Sequence, residues 1–107
     1  MDMGLFAPLI ARAIIDHLEN VGTETINVLF CAKNNTCEEV VKRSVDGVIT
    51  INVSRRAVKN LRIGELDITM DLAFDGVSYN VAFMPEDLLG VMIPIPGTDK
   101  LWCYMLN

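Results

Sequence analysis

A single histidine, His17, serves the whole 107-residue chain, and that scarcity removes most hydrolytic arrangements at once. Ser44, Ser54 and Ser78 have no further imidazole to activate them, and none stands in a G-x-S-x-G turn. His17 itself falls among apolar neighbours in a helical stretch, the setting of a structural imidazole. Cysteine is equally sparse: Cys31, Cys37 and Cys103 are odd in number and match neither C-x-x-C nor a zinc spacing. They read as reduced, packed thiols of a cytoplasmic protein. No glycine-rich phosphate cradle occurs, and neither Asp-Gly pair belongs to a calcium loop. The acidic doublets Glu38-Glu39 and Glu86-Asp87 look like solvated or helix-start positions rather than a catalytic pair.

Positive charge is in short supply too. Nine Lys and Arg against fourteen Asp and Glu leave a net charge of −5, which argues against a protein whose main partner is a nucleic-acid backbone. The longest apolar run, Leu5 to Ile15, is broken by Arg12, has no basic segment before it and is shorter than the ~20 residues of a membrane span. The expectation is therefore a non-enzymatic binding domain, cytoplasmic, without cofactor, metal or membrane contact.

What is present is apolar content, 51% of residues, in a length that suits one domain over 1–107. A chain of this size buries roughly two-thirds of its unfolded surface, enough for a core without disulfides. Pro8 suits a helix's first turn and Gly22 its end, so a helix is expected over about 8–21. Beyond it the apolar period shortens to two, giving a β region over about 24–106. Thr25 to Ala32, apolar on both faces, suits a central strand. Cys37 to Arg43 reads as a second strand, and Val48 to Val53 follows Asp46-Gly47. Ile68, Met70, Leu72 and Phe74 alternate with polar or small residues up to Asp75-Gly76, and Val77, Tyr79, Val81 and Phe83 alternate after it, a strong hairpin signal. Ser54 to Asn60 and Pro85 to Gly90 read as short helical turns or connections, and Leu101 to Leu106 as a closing strand. The fold class is mainly β with a leading helix: about six or seven antiparallel strands in a small partly open barrel or two-sheet arrangement.

Six of the nine cations, Lys42, Arg43, Arg55, Arg56, Lys59 and Arg62, fall in one stretch with only Asp46 among them. They form either a solvated edge or a local positive surface for an acidic peptide or RNA segment.

The run Ile51-Asn52-Val53-Ser54-Arg55-Arg56-Ala57-Val58-Lys59-Asn60-Leu61 resembles the stringent starvation protein B (SspB) family, which carries an Asn-Ile/Leu strand end followed by Arg-Ala-Val-x-Asn-Leu. Pro8 to Ala13 is similar to that family's opening helix, with Leu9 where the family has tyrosine. Asp46-Gly47-Val48-Ile49 resembles its Asp-Gly-Gln-Ile, Phe74-Asp75-Gly76-Val77 its Phe-x-Gly hairpin, and Pro85 to Val91 stands where the family has Val-Pro and an apolar turn. The series runs in order from about Pro8 to Tyr104. One departure is internal: Asp71-Leu72-Ala73 replaces Asn-Ala-Arg.

The resemblance implies an Sm-like core of two small sheets that acts as a proteolytic adaptor. It would hold ssrA-type degradation tags as extended peptides in a hydrophobic groove and present the tagged protein to the ClpX unfoldase of the ClpXP protease. Carried over residue by residue, Val41, Ala57 and Phe74 match groove positions, Leu72 and Ala73 precede the hairpin phenylalanine, and Arg43 and Arg56, with Arg55, would steer an acidic tag. Leu9, Ile10 and Ala13 on the opening helix would form a homodimer interface. Family members continue past the point matching Asn107 into an acidic tail with a ClpX-docking segment. Two rival readings stand beside this one: an Sm-like RNA-binding module using the basic cluster at 42–62, and an assembly protein whose apolar helix only dimerises.

Overall fold

The computed structural model describes residues 6–106. Helix α1 spans Ala7–Asn20, with Pro8 in its first turn. It ends where Gly22 adopts a left-handed φ of 81°. There the Gly22 and Thr23 amides donate to the Glu19 and Leu18 carbonyls, satisfying groups that the last helical turn leaves open. Ala7, Ala11, Ile15 and Leu18 recur at helical spacing and are buried, so this face is the one laid on the sheets.

Seven strands follow: β1 (Asn27–Cys31), β2 (Val48–Asn52), β3 (Lys59–Ile63), β4 (Ile68–Phe74), β5 (Val77–Phe83), β6 (Leu88–Pro94) and β7 (Leu101–Met105). They form two antiparallel sheets, one ordered β2-β1-β6-β7 and the other β3-β4-β5, and these do not close into a barrel. β1 is an inner strand, as its two-sided apolar character requires. Phe30 of β1 stacks on Phe83 of β5 with centroids 4.2 Å apart, which joins the sheets through one aromatic pair. Ile26, Ile68, Met70, Leu88 and Leu106 are fully buried as well, as are Val28, Val40, Val81 and Val91.

Both Asp-Gly pairs form the tight turns their sequence demands. Asp46 and Gly47 have φ of 53° and 78°, and Asp75 and Gly76 have 52° and 80°, the paired left-handed conformation whose twist matches that of two antiparallel strands. The second pair links β4 and β5 in full register from Ile68 opposite Phe83 to Phe74 opposite Val77.

The segment expected as a second strand, Cys37 to Arg43, is instead helical: α2 spans Glu38–Arg43. The Asn35 side-chain oxygen accepts from the Cys37 amide and opens this turn. Glu38 and Glu39 then lie at the helix's positive end and Lys42 and Arg43 at its negative end. Adjacent Val40 and Val41 resemble a strand locally, yet one is buried and the other exposed on a single helical turn.

Two strands lie where the pattern suggested connections. Ser54 to Val58 is a turn as expected, closed by the Ala57 and Val58 amides donating to the Ser54 carbonyl, but the chain becomes β3 at Lys59. The expected helical turn over Pro85 to Gly90 shrinks to a 3₁₀ turn at Pro85–Asp87, and β6 begins at Leu88. Gly90 and Pro94 argue against a strand in sequence. In the fold a Cβ at Gly90 would stand 2.9 Å from the Tyr104 carbonyl oxygen, so the glycine permits β7 to approach. Among the described residues, no helix is long and apolar enough to cross a membrane.

Candidate functional site

β2 is an edge strand, and its outer edge opens on a groove. At the two ends of its ladder with β1, the Ala32 amide donates to the Gly47 carbonyl and the Val53 amide to the Ile26 carbonyl. Antiparallel alternation between these points turns the backbone groups of Ile49 and Ile51 toward β1 and those of Val48, Thr50 and Asn52 outward. Val48 exchanges both of its bonds with Val45, at 2.8 and 3.0 Å. Thr50 and Asn52 remain, and no strand among the described residues pairs with them on that side.

The groove beside this edge has a volume of about 550 Å³. β2 supplies one wall from Val48 to Asn52, and Leu72, Ala73 and Phe74 at the end of β4 supply the other. Ala57, Val45 and Arg43 complete the lining. Ile49, Ile51 and Leu72 are buried and make an apolar base, whereas Thr50, Ala57 and Ala73 are exposed. Small side chains at 57 and 73 leave room for another backbone.

Asn52 sets the shape at one end. Its side-chain oxygen accepts from the Ile26 and Ser54 amides, each at 3.1 Å, and so ties the entry to β1 to the turn that carries Ala57. Both donors belong to buried residues and have no other acceptor among the described residues, which makes this oxygen costly to remove.

Arg43 sets the other end. Its guanidinium lies over the Phe74 ring, meets the Glu39 carboxylate at 3.3 Å one helical turn back, and meets Asp75 at the β4–β5 turn at 2.8 Å. Such contacts at a wet surface contribute about 0.3–1 kcal/mol each.

Behind the groove wall, Asp71 clips the smaller sheet together. One carboxylate oxygen accepts from the Asn60 amide nitrogen at 2.7 Å and the other from Asn80 at 2.9 Å, spanning β3, β4 and β5. The Asn80 and Asn60 hydrogen bonds hold its pKa below the ordinary carboxylate value. Asn60, at φ 56°, sits in the irregular register between β3 and β4.

Of the seven peptide-site residues read from the sequence, the structure brings Arg43, Ala57, Leu72, Ala73 and Phe74 to one groove. Val41 and Arg56 are not in its lining. Val41 is displaced because its segment is a helix, and it lies exposed on α2. Arg56 lines a separate depression with Arg55, Glu19, Glu24, Thr23, Gly22 and Ser54. The sequence reading did not include Val45 or the β2 residues Val48, Ile49, Thr50, Ile51 and Asn52 in the site. The alternation of Thr50 and Asn52 with Ile49 and Ile51 was visible, but nothing local marks β2 as an edge.

Within the basic cluster, Lys42, Arg43 and Arg55 are ion-paired among the described residues. Arg55 pairs with Glu19 through its backbone amide at 2.9 Å and its side chain at 4.0 Å, Arg43 with Glu39 and Asp75, and Lys42 with Glu39 at 3.9 Å. Two of these carboxylates, Glu19 and Asp75, come from distant parts of the sequence, and Glu39 lies on the same helix as its partners. On α1, Leu9 and Ala13 are exposed away from the packed face, and Ile10 is half-buried against the core.

No protein-family model matches the chain, and no curated protein matches it at a significant level.

Proposed function

We propose that this protein is a peptide-binding adaptor that holds ssrA-type degradation tags as extended chains in the groove beside β2 and presents tagged proteins to the ClpXP protease through its ClpX unfoldase. One observation carries the reading: the outward backbone groups of Thr50 and Asn52 border an apolar trough lined by small side chains at Ala57 and Ala73. An extended peptide completes such an edge by main-chain hydrogen bonds, while alternate side chains enter apolar pockets. Recognition of this kind requires shape and backbone pairing from the protein, and no bond-making chemistry.

The resemblance of Ile51 to Leu61 and of the Asp75-Gly76 hairpin to the SspB family supports the choice of a degradation tag over other extended peptides. The carboxylates paired with Arg43 and Arg55 favour a peptide over an RNA backbone, because they offset the field a phosphate chain would need. Within the same reading, Leu9, Ile10 and Ala13 mark the surface through which two copies form a homodimer.

Titration of a fluorescently labelled ssrA-type peptide at two salt concentrations tests the reading. Saturable binding with a mild salt response is expected. Absence of binding at both concentrations, or a steep loss with salt matched by binding to single-stranded RNA, overturns it.

A further inference from the structure

Among the residues lining the groove only Arg43 carries a charge, and its three contacts are unequal in permanence. Glu39 lies one turn back on the same helix, so helical geometry presets that pair. Phe74 is part of the groove wall itself, with its centroid 4.7 Å from the guanidinium carbon. Asp75 differs from both: its side chain is 87% exposed, it stands at the tip of a hairpin, and the contact to Arg43 is its one ion pair among the described residues.

Resting on the peptide-groove reading, we propose that Asp75 is an internal stand-in for a carboxylate of the bound peptide, and that the groove selects extended peptides carrying a carboxylate at the hairpin end. In the free protein Asp75 occupies the outer face of the Arg43 guanidinium. A peptide seated along β2 brings its own carboxylate to the same atoms at high effective concentration. Asp75 then returns to water, where an already exposed carboxylate loses little. The incoming pair forms beside the Phe74 ring and under the peptide, where water is partly excluded and the attraction is stronger. A peptide without a carboxylate leaves the Arg43–Asp75 pair intact and gains nothing from it. Arg43 is thus the source of the preference for acidic tags, and Asp75 holds that preference down by lowering the affinity for acidic peptides and not for neutral ones.

The test compares wild type, Asp75→Asn and Arg43→Gln by fluorescence anisotropy. Asparagine tolerates the left-handed conformation at 75, so the hairpin is retained. The probes are an ssrA-type peptide, the same peptide with Asp and Glu replaced by Asn and Gln, and C-terminally amidated forms of both. Asp75→Asn is expected to bind the acidic peptide about three- to tenfold more tightly than wild type and the neutral amidated peptide equally well. Arg43→Gln is expected to abolish the preference for acid. Loss of the preference on side-chain replacement assigns the carboxylate to Asp or Glu, and loss on amidation assigns it to the chain terminus. Unchanged affinity of Asp75→Asn for the acidic peptide, or equal tightening toward the neutral one, overturns the proposal while leaving the groove standing. Failure of every probe to bind wild type overturns the groove reading and this proposal with it.

Discussion

The guanidinium of Arg43 lies over the ring of Phe74, its central carbon 4.7 Å from the ring centroid, although the two residues belong to different elements thirty-one positions apart. Helix α2 and the end of β4 therefore share one wall of the groove, and substitutions along that wall and opposite it test the reading.

Ala57 is exposed at the groove on the turn between β2 and β3. Ala57→Gln places a longer side chain where a peptide backbone would pass. Peptide affinity should fall at least about tenfold, or about 1.4 kcal/mol. The thermal midpoint should stay within a few degrees of wild type, since the position is not in the core. Undiminished affinity would remove Ala57 from the site.

Asn52→Ala deletes the oxygen shared by the Ile26 and Ser54 amides. Leaving two such donors without a partner should cost about 2–4 kcal/mol of stability, read as a lowered midpoint in urea unfolding. An unchanged midpoint would show that water satisfies both amides.

Asp71 supplies a pH signature. Its pKa is lowered in the folded chain by hydrogen bonds from Asn80 and Asn60. A depressed carboxyl contributes stability that is complete above its unfolded pKa and is lost as pH falls through the folded one. Wild type should therefore exceed Asp71→Asn in stability at neutral pH, and the gap should narrow steadily through the acid range. Unfolding curves collected across that range check the sign: a gap that widens with acid contradicts it.

Leu9 and Ala13 lie on the unpacked face of α1. If two copies meet there, the double substitution Leu9→Glu with Ala13→Glu should convert a dimer to a monomer in sedimentation experiments, because it buries two like charges per subunit across a two-fold axis. A mass still equal to two subunits would move the interface elsewhere.

Much of this architecture is legible in the chain because its signals are local. Pro8 and Gly22 mark α1 to within a residue, since each restricts or permits one backbone conformation. Asp75-Gly76 specifies its hairpin for the same reason, and the alternation marks Ile68, Met70, Leu72, Val81 and Phe83 as inward-facing, whereas Val77 beside the turn is exposed. The segment from Glu38 to Arg43 went the other way. Its two valines favour a strand by composition, whereas the charge order along it and the turn at Asn35 favour a helix, and six residues are too few for periodicity to arbitrate.

Sequence by itself determined the elements whose causes lie within a few residues: the opening helix, the two Asp-Gly turns and the β-rich remainder, while Ala57 and Phe74 entered as candidates only through the family resemblance. Only the tertiary structure decided that β2 is an edge. That status follows from β1 pairing with β6, Val28 opposite Val91, across more than half the chain, which leaves β2 with a neighbour on one side. Tertiary structure likewise brings Arg43 to Asp75, thirty-two positions on, and leaves Arg56 and Val41 outside the groove lining. Strand pairing is settled by which surfaces bury the most together, and no short window of residues contains that comparison.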